Sequence, residues 1–435
     1  MTATATAPHN ALETVTLIQV NAAGNNNKFY ELSKMPDGST LARWGRIGAS
    51  NAQTRTYPGH SSFDNKLDEK LRKGYSVFDG GRSTQTAVSS VSSSGQLPDL
   101  VGAGLFGARR SAAARGLVAH LVKANRHAIG AATGGRITVS DSGAVTTALG
   151  PVSAAQIGQA RSALTTLRTG YDRWAVEKYL TLIPQQITNV RATDWVTRTW
   201  CREQDDLLDA LESAITLAAA SNDRAAAAIA FRHTMTEIDS SASEFTRIAA
   251  KFNDSRNAMH AANRLDLRRV WALVDADEPG WSKRKSALKH SRELWHGTST
   301  GNVLSILRTG LICPSVGAGA FNITGRMFGD GVYFSDQSTK SLNYAIGSAP
   351  GQLGRSASTG NSMMFLADVV MGRECRSEAT MGCAALVSRA HTGSDTKGRS
   401  YDSIFVRGGH CGVRNNEMIV WKADQIKLTY LCEFA

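Results

Sequence analysis

Nowhere in the 435 residues is there an unbroken apolar run of about 18, the length a membrane-spanning helix needs, so no such helix is expected. The opening MTATATAPHN has neither a basic start nor an apolar stretch, and a cleaved secretion signal is not expected either. Cysteine is sparse. The six residues (Cys201, Cys313, Cys375, Cys383, Cys411 and Cys432) include no CxxC pair. Without a secretion signal they read as reduced thiols of an intracellular protein. No close pair of Cys or His recurs at finger-like spacing, so no metal is expected. Solenoid and propeller periods are also missing.

What is present is ordinary globular material, 42% hydrophobic and 20% charged, in a chain long enough for two to four domains. Lys and Arg outnumber Asp and Glu by 49 to 37, a net charge of +12 that favours a polyanionic partner such as DNA or RNA.

Residues 15–57 alternate like short strands, and Asp37-Gly38 marks a hairpin. Phe63, Leu67 and Leu71 then fall at helical spacing among charges. The Ser-, Gly- and Thr-rich stretch 81–96 reads as a flexible linker. From 97 to about 284, Ala-rich periodic segments predict a helical domain, with Pro151 and Ser153 at a helix start. After Trp281, short apolar strands alternate with a few short helices, which suits an α+β domain.

Three segments of that last region concentrate chemistry: ELWHGTSTGNVLSILRTGL (293–311), GRMFGDGVYFSDQSTKSLNYA (325–345) and NNEMIVWKADQIKLTYL (415–431). They set a His before a Gly at a strand end, two Tyr around a Gly-rich loop and helix, and a Glu at the start of an apolar strand. Each residue alone has an ordinary explanation as a surface or core group. Together they describe a cleft that stacks a flat ring and binds hydroxyls.

In this order and spacing the segments resemble the catalytic domain of the poly(ADP-ribose) polymerase family, with its His-Tyr-Glu triad, over 285–435. The resemblance implies a split β-sheet that uses NAD as substrate and no metal. Under it, His296 holds the adenosine ribose. Gly297 and Ser341 bind the nicotinamide carboxamide, and Tyr333 and Tyr344 sandwich the ring. Glu417 stabilises the oxocarbenium-like transition state and orients the acceptor. Lys340 and Met327 line the acceptor side. The family's Arg after GL and Tyr before MFG are replaced by Ile312 and Arg326, so contacts at the adenine and acceptor ends are expected to differ.

RWGRIG at 43–48 resembles a WGR domain (residues 1–80), which implies DNA contacts from Trp44, Arg46, Arg43 and Lys28. LGPVSAAQI and KYLTLIPQQI resemble the family's helical regulatory domain, assigned to 97–284. The acidic face Glu203, Asp205, Asp206 and Asp209 is either an opponent of NAD phosphates or a solvated helix face. The acid-free run with Arg109, Arg110, Arg115, Lys123, Arg126 and Arg136 is either an extended DNA footprint or a solvated surface. The expected fold is thus multidomain α+β: a small β-rich domain, an all-α regulatory domain and a split-sheet catalytic domain.

The expected function is a poly(ADP-ribosyl)transferase, activated allosterically by DNA breaks, that modifies itself and nearby proteins during DNA repair. Its alternatives are single ADP-ribose transfer to protein or nucleic-acid ends, or an inactive DNA-binding scaffold. A nicotinamide-linked dehydrogenase is set aside for want of a phosphate-binding Gly motif, no Gly-x-Gly-x-x-Gly fingerprint being read in the chain. A nucleus and a prokaryotic nucleoid are equally open as its location.

Overall fold

The structure is a computed structural model that describes residues 10–48, 51–84, 96–107, 110–133, 137–139, 145–147, 150–219, 231–313, 327–329, 331–346 and 361–435. In chain order the first elements are β1 (Glu13–Asn21), β2 (Asn26–Lys34), β3 (Thr40–Arg46), β4 (Gln53–Tyr57), α1 (Ser62–Arg72) and β5 (Ser76–Thr84). Next come α2 (Gln96–Phe106), α3 (Ala112–Thr133), β6 (Ile137–Val139), β7 (Val145–Thr147), β8 (Gly150–Pro151), α4 (Ala154–Thr169), α5 (Arg173–Leu182) and α6 (Arg198–Ala219). Then follow β9 (His233–Ile238), α7 (Ser243–Asp254), β10 (Leu267–Asp275), α8 (Glu278–Leu288), β11 (Ser291–Gly297), α9 (Thr300–Thr309), β12 (Val332–Phe334) and α10 (Ser338–Ala345). The last are β13 (Ser362–Val370), β14 (Glu374–Arg376), α11 (Cys383–Thr392), β15 (Ser403–Val406), β16 (Glu417–Val420) and β17 (Ile426–Phe434).

The chain forms two compact units. One joins Met1–Leu97 to Arg126–Ser221, the other Pro98–Asn125 to Asn222–Ala435. In the first, β4-β3-β2-β1-β5 make an antiparallel sheet. Alternation along the strands gives it two apolar faces. Val15, Leu17, Tyr30, Leu32 and Ala42 pack under Phe63 of α1. Ile18, Phe29, Ile47 and Phe78 pack on the other side. The Asp37-Gly38 turn is present: Gly38 has φ +79°, and the Asp37 carboxylate accepts the Ser39 N–H at 2.8 Å. In the same unit, Ser153 starts α4 through a reciprocal capping box with Gln156. Ile157, Leu164, Tyr179, Leu180, Leu208 and Leu211 join α4, α5 and α6 in one core.

Three expectations change here. The linker begins later, because β5 runs to Thr84 and pairs with β1; its remainder, 85–95, lies outside the described residues. The region expected to be wholly helical contains the small antiparallel sheet β6-β7-β8, built from ITV and VTT, whose β-branched side chains suit a strand. And the segment FRHTMTEI, read as the end of an Ala-rich helix, is strand β9. Its buried His233 and Met235 alternate with exposed Thr234 and Thr236, a period of two rather than 3.6.

β9 and β10 belong to the second unit's larger sheet, β11-β13-β17-β10-β9, so its strands start well before residue 285. The smaller sheet is β12-β16-β15-β14, antiparallel except where β14 runs parallel to β15. The larger sheet buries Trp295, Val270, Met364, Leu366 and Phe434 against α7 and α10. A Gly-x-Gly-x-x-Gly string does occur, Gly102–Gly107, but it lies within α2 and its end rather than in a strand-to-helix turn. The dehydrogenase alternative therefore fails on the placement of that string.

At the edge of the larger sheet, Arg232 grips the fully buried Asp275 carboxylate with Nε and Nη2 at 2.7 and 2.8 Å. Burial alone would raise the Asp275 pKa. The adjacent His233, Arg232 and the Asp277 N–H reverse that and hold it well below the usual carboxylate range. Such a carboxylate adds stability that is present above its unfolded-state pKa and lost as pH falls through the folded one. Arg232→Leu strands a buried charge and is expected to cost about 3–5 kcal/mol at pH 7. In urea unfolding, the gap from wild type should narrow below about pH 4 as Asp275 takes a proton. A gap that ignores pH would contradict this account.

Candidate active site

Among the described residues, the two sheets of the second unit meet at one isolated bridge. Trp295 N–H donates to Ser335 O at 2.9 Å, and Ser335 N–H returns to Trp295 O at 3.0 Å. The residues picked from the sequence gather around this seam. His296 follows Trp295 on β11, Tyr333 lies two residues before Ser335, and α10 begins three residues after it. In the β12–β16 register, Tyr333 faces Ile419 and Phe334 faces Met418. Glu417 therefore starts β16 level with Ser335.

The His296 Nδ1–H donates to Tyr333 O at 2.9 Å, since a carbonyl can only accept. Burial holds the imidazole below its ordinary value of 6.5, overriding that hydrogen bond, which acts the other way. At neutral pH the ring is thus uncharged, and Nε2 keeps a lone pair for a hydroxyl donor. Phe334 packs against the ring with centroids 5.5 Å apart. A ligand hydroxyl held by Nε2 would be released only when the ring protonates. The dissociation constant of such a ligand should accordingly stay flat through pH 6.5 and rise further into acid, and a break at or above 6.5 would contradict the depressed pKa.

Tyr333 ties down the loop in front of it. Its hydroxyl donates to Gly329 O at 2.8 Å and accepts the Phe328 N–H at 3.0 Å. Ser341 is buried on α10 and donates from Oγ to Trp295 O at 3.1 Å. Gly297 has a reason the sequence did not show. A Cβ there would fall 1.6 Å from the Ser341 carbonyl oxygen, so strand and helix backbones touch where no side chain fits. Tyr344, half-buried, sits on the same helix one turn further on.

Glu417 Oε2 lies 2.5 Å from Lys340 Nζ, with both side chains largely shielded from solvent. Lys340 Nζ also donates to Asn416 O at 3.4 Å. Met327 is exposed at the loop's start, as is Ile312 beyond α9, while Arg326 lies outside the described residues. Sequence reading named the triad but missed the polar residues behind it. Ser335, Asp336 and Asn416 sit in the quoted strings YFSD and NNE, and their polarity at strand ends was the available signal. Among the described residues, no group of three or more His, Cys, Asp or Glu could hold a metal ion.

In the first unit the four expected DNA contacts do not share one face. Lys28, Trp44 and Arg46 lie on the side of α1, where Trp44 stacks on Tyr30 with centroids 5.5 Å apart. Arg43 lies on the opposite side, its guanidinium over Phe29 at 5.1 Å. Arg46 donates to Asn25 O at 2.9 Å and to Thr188 O at 3.1 Å. The acidic face of α6 is neither solvated nor aimed at a ligand throughout: Asp209 and Glu212 bind Arg161, and Asp205 binds Arg168, both from α4. Of the acid-free run, Arg110 donates to Asp99 O at 2.9 Å, while Arg109 and Arg136 lie outside the described residues. None of the described helices is long and apolar enough to cross a membrane.

Comparison with known proteins matches two parts of the chain to family models. Residues 242–435 match the model of the poly(ADP-ribose) polymerase catalytic domain, and residues 13–82 match that of the WGR domain. Human poly [ADP-ribose] polymerase 2 is 31% identical over 201 residues, covering 40% of this chain and 31% of that protein. Mouse protein mono-ADP-ribosyltransferase PARP4 is 25% identical over 211 residues, 47% of this chain and 10% of that protein. A putative poly [ADP-ribose] polymerase-like protein of Invertebrate iridescent virus 6 is 29% identical over 148 residues, 34% of this chain and 72% of that protein. Apart from the viral protein, the chain spans a third or less of these relatives. A split-sheet catalytic unit and a WGR domain in one chain define its class. The chain belongs to the poly(ADP-ribose) polymerase family.

Proposed function

We propose that this protein is an NAD-consuming ADP-ribosyltransferase that builds poly(ADP-ribose), is switched on by DNA strand breaks and modifies itself and nearby proteins. The observation that carries the reading is the carboxylate of Glu417, held 2.5 Å from Lys340 on the strand facing Tyr333, across the seam from His296. In the reaction the C1′–N bond of the nicotinamide ribose breaks, and nicotinamide leaves with the electron pair. Positive charge then develops on the sugar, where a preorganised carboxylate stabilises it. The acceptor hydroxyl oxygen, oriented by Glu417, attacks C1′ as its proton passes to the Glu417 carboxylate and on to water. His296 Nε2 accepts from the adenosine ribose, Tyr333 and Tyr344 flank the nicotinamide ring, and Gly297 and Ser341 receive its carboxamide. Lys340 and Met327 line the acceptor side.

The WGR domain supports DNA as the activating partner, with Lys28, Trp44 and Arg46 as contacts on one face and Arg43 on the other. We assign residues 1–80 to that domain, 97–284 to regulation and 285–435 to catalysis, with β9 and β10 lent to the catalytic sheet. The test is labelled NAD with and without nicked DNA, read as product length on a denaturing gel. DNA-dependent ladders are expected. Single-residue products would replace the polymer reading with mono-transfer, and no labelling at all would overturn it.

A further inference from the structure

Glu417 is the first residue of β16, and the β15–β16 ladder ends with its pairing to Val406. Nothing in the ladder therefore fixes the chain just before the carboxylate. Asn416 does so with its side chain and its carbonyl. The Gly408 N–H donates to Asn416 Oδ1 at 2.9 Å, and Asn416 Nδ2 donates to Asp336 Oδ2 at 2.8 Å. The Asn416 carbonyl accepts Ser335 Oγ at 3.1 Å and Lys340 Nζ at 3.4 Å. Ser335 in turn carries the bridge to Trp295, beside His296.

Asp336 is the costly member of this set. Among the described residues, its other carboxylate oxygen, Oδ1, is buried with no hydrogen-bond partner. A neutral residue would serve stability better, because an unsatisfied buried oxygen carries a desolvation penalty. Breaks of this kind are expected where function sets the requirement. A full carboxylate is the stronger acceptor for one amide proton, and it locks the Asn416 amide plane against Gly408.

We propose that Asn416, clamped by Asp336, is the positioning residue of this site. It sets where the Glu417 carboxylate stands, and through its carbonyl it holds the Lys340 ammonium against that carboxylate. The inference rests on the transferase reading above. It adds that the dipeptide Asn416-Glu417 works as one piece, and that Asp336 acts through Asn416 without touching substrate.

Four full-length proteins decide it: wild type, Asn416→Leu, Asp336→Leu and the double variant, with Asn416→Ser and Asp336→Asn as milder forms should the Leu variants not fold. Nicotinamide release from NAD should fall at least about tenfold in kcat for each Leu variant, with KM for NAD within about twofold, because misplacement spares binding. The double variant should be no worse than either single one, since both break the same clamp. Asp336→Asn, which keeps an acceptor oxygen but a weaker, uncharged one, should recover only part of the loss. Labelling of Lys340 by an amine-reactive ester, read by mass spectrometry, should rise several-fold in Asn416→Leu, because the unclamped residue-416 carbonyl shifts and loosens its hold on Lys340.

Unchanged kcat, additive losses, or unchanged Lys340 labelling overturns the positioning role. A wild type that releases no nicotinamide overturns the transferase reading instead, and the labelling arm then decides the positioning role alone.

Discussion

Gly297→Ala is expected to cost about 3 kcal/mol or more of stability and to lower nicotinamide release by roughly a hundredfold or more. The new methyl would fall 1.6 Å from Ser341 O and 2.5 Å from the Ser341 carbonyl carbon. Neither is the tip of a side chain that can swing aside. Gly297 is held to Met364 in the β11–β13 ladder, and Ser341 belongs to α10. One backbone must move by more than about 1 Å, beyond the give of a packed interior. Overpacking costs about 1–3 kcal/mol when side chains can adjust, so a clash of two backbones sits at or above that ceiling. The same shift drags His296 or Ser341 off position, and about 1 Å of misplacement costs on the order of a hundredfold in rate. Gly382→Ala is the control: a Cβ there meets nothing within 4 Å, and its φ of −72° suits any residue. Its stability should stay within about 1 kcal/mol of wild type. Thermal unfolding without NAD reads the packing effect alone, and a Gly297→Ala protein as stable as wild type would disprove the close approach.

Glu417→Gln should leave the fold intact and reduce nicotinamide release by about 10²–10³-fold, the range seen when one preorganised electrostatic group is removed. Size and shape are kept, while the charge that faces Lys340 Nζ at 2.5 Å is lost. Lys340 retains the Asn416 carbonyl at 3.4 Å, so its ammonium is not left without an acceptor. If, as proposed, the carboxylate acts on charge that appears only as nicotinamide leaves, kcat should fall far more than KM changes. Elongation should fail even where a single transfer persists. Long polymer made by Glu417→Gln would remove this residue from the chemistry.

The chemistry of the site was more legible than its scaffold. LWHG, MFGDGVYFSD, KSLNY and NNE carry order and spacing that survive in one dimension, so His296, Tyr333 and Glu417 could be picked out together. Asn416 and Asp336 were in view in the same strings but undistinguished, because their partners, Gly408 and each other, are set by a sheet end rather than by a spacing. Gly297 was named through the family resemblance as a carboxamide contact, whereas the carbonyl that leaves no room for a Cβ there is 44 residues away and carries no sequence signal. β9 was misread because an Ala-rich run leads into it and six residues are too few for a period of two to stand out. Arg46 looked like a free phosphate contact until Thr188, 142 residues distant, proved to accept one of its N–H groups.

The single bridge between Trp295 and Ser335 has a consequence for how this cleft is dimensioned. Within a ladder, the spacing between two side chains is quantised by strand rise and register. His296 and Glu417 belong to different sheets, so their separation escapes that quantisation. It rests on the Trp295–Ser335 bridge and on the bulk packed beside that seam, where Trp295, Phe334 and Leu342 are all fully or nearly fully buried. The gauge of the cleft is thus written in core volumes, and a methylene gained or lost there resets the reach between the two groups while leaving both of them in place.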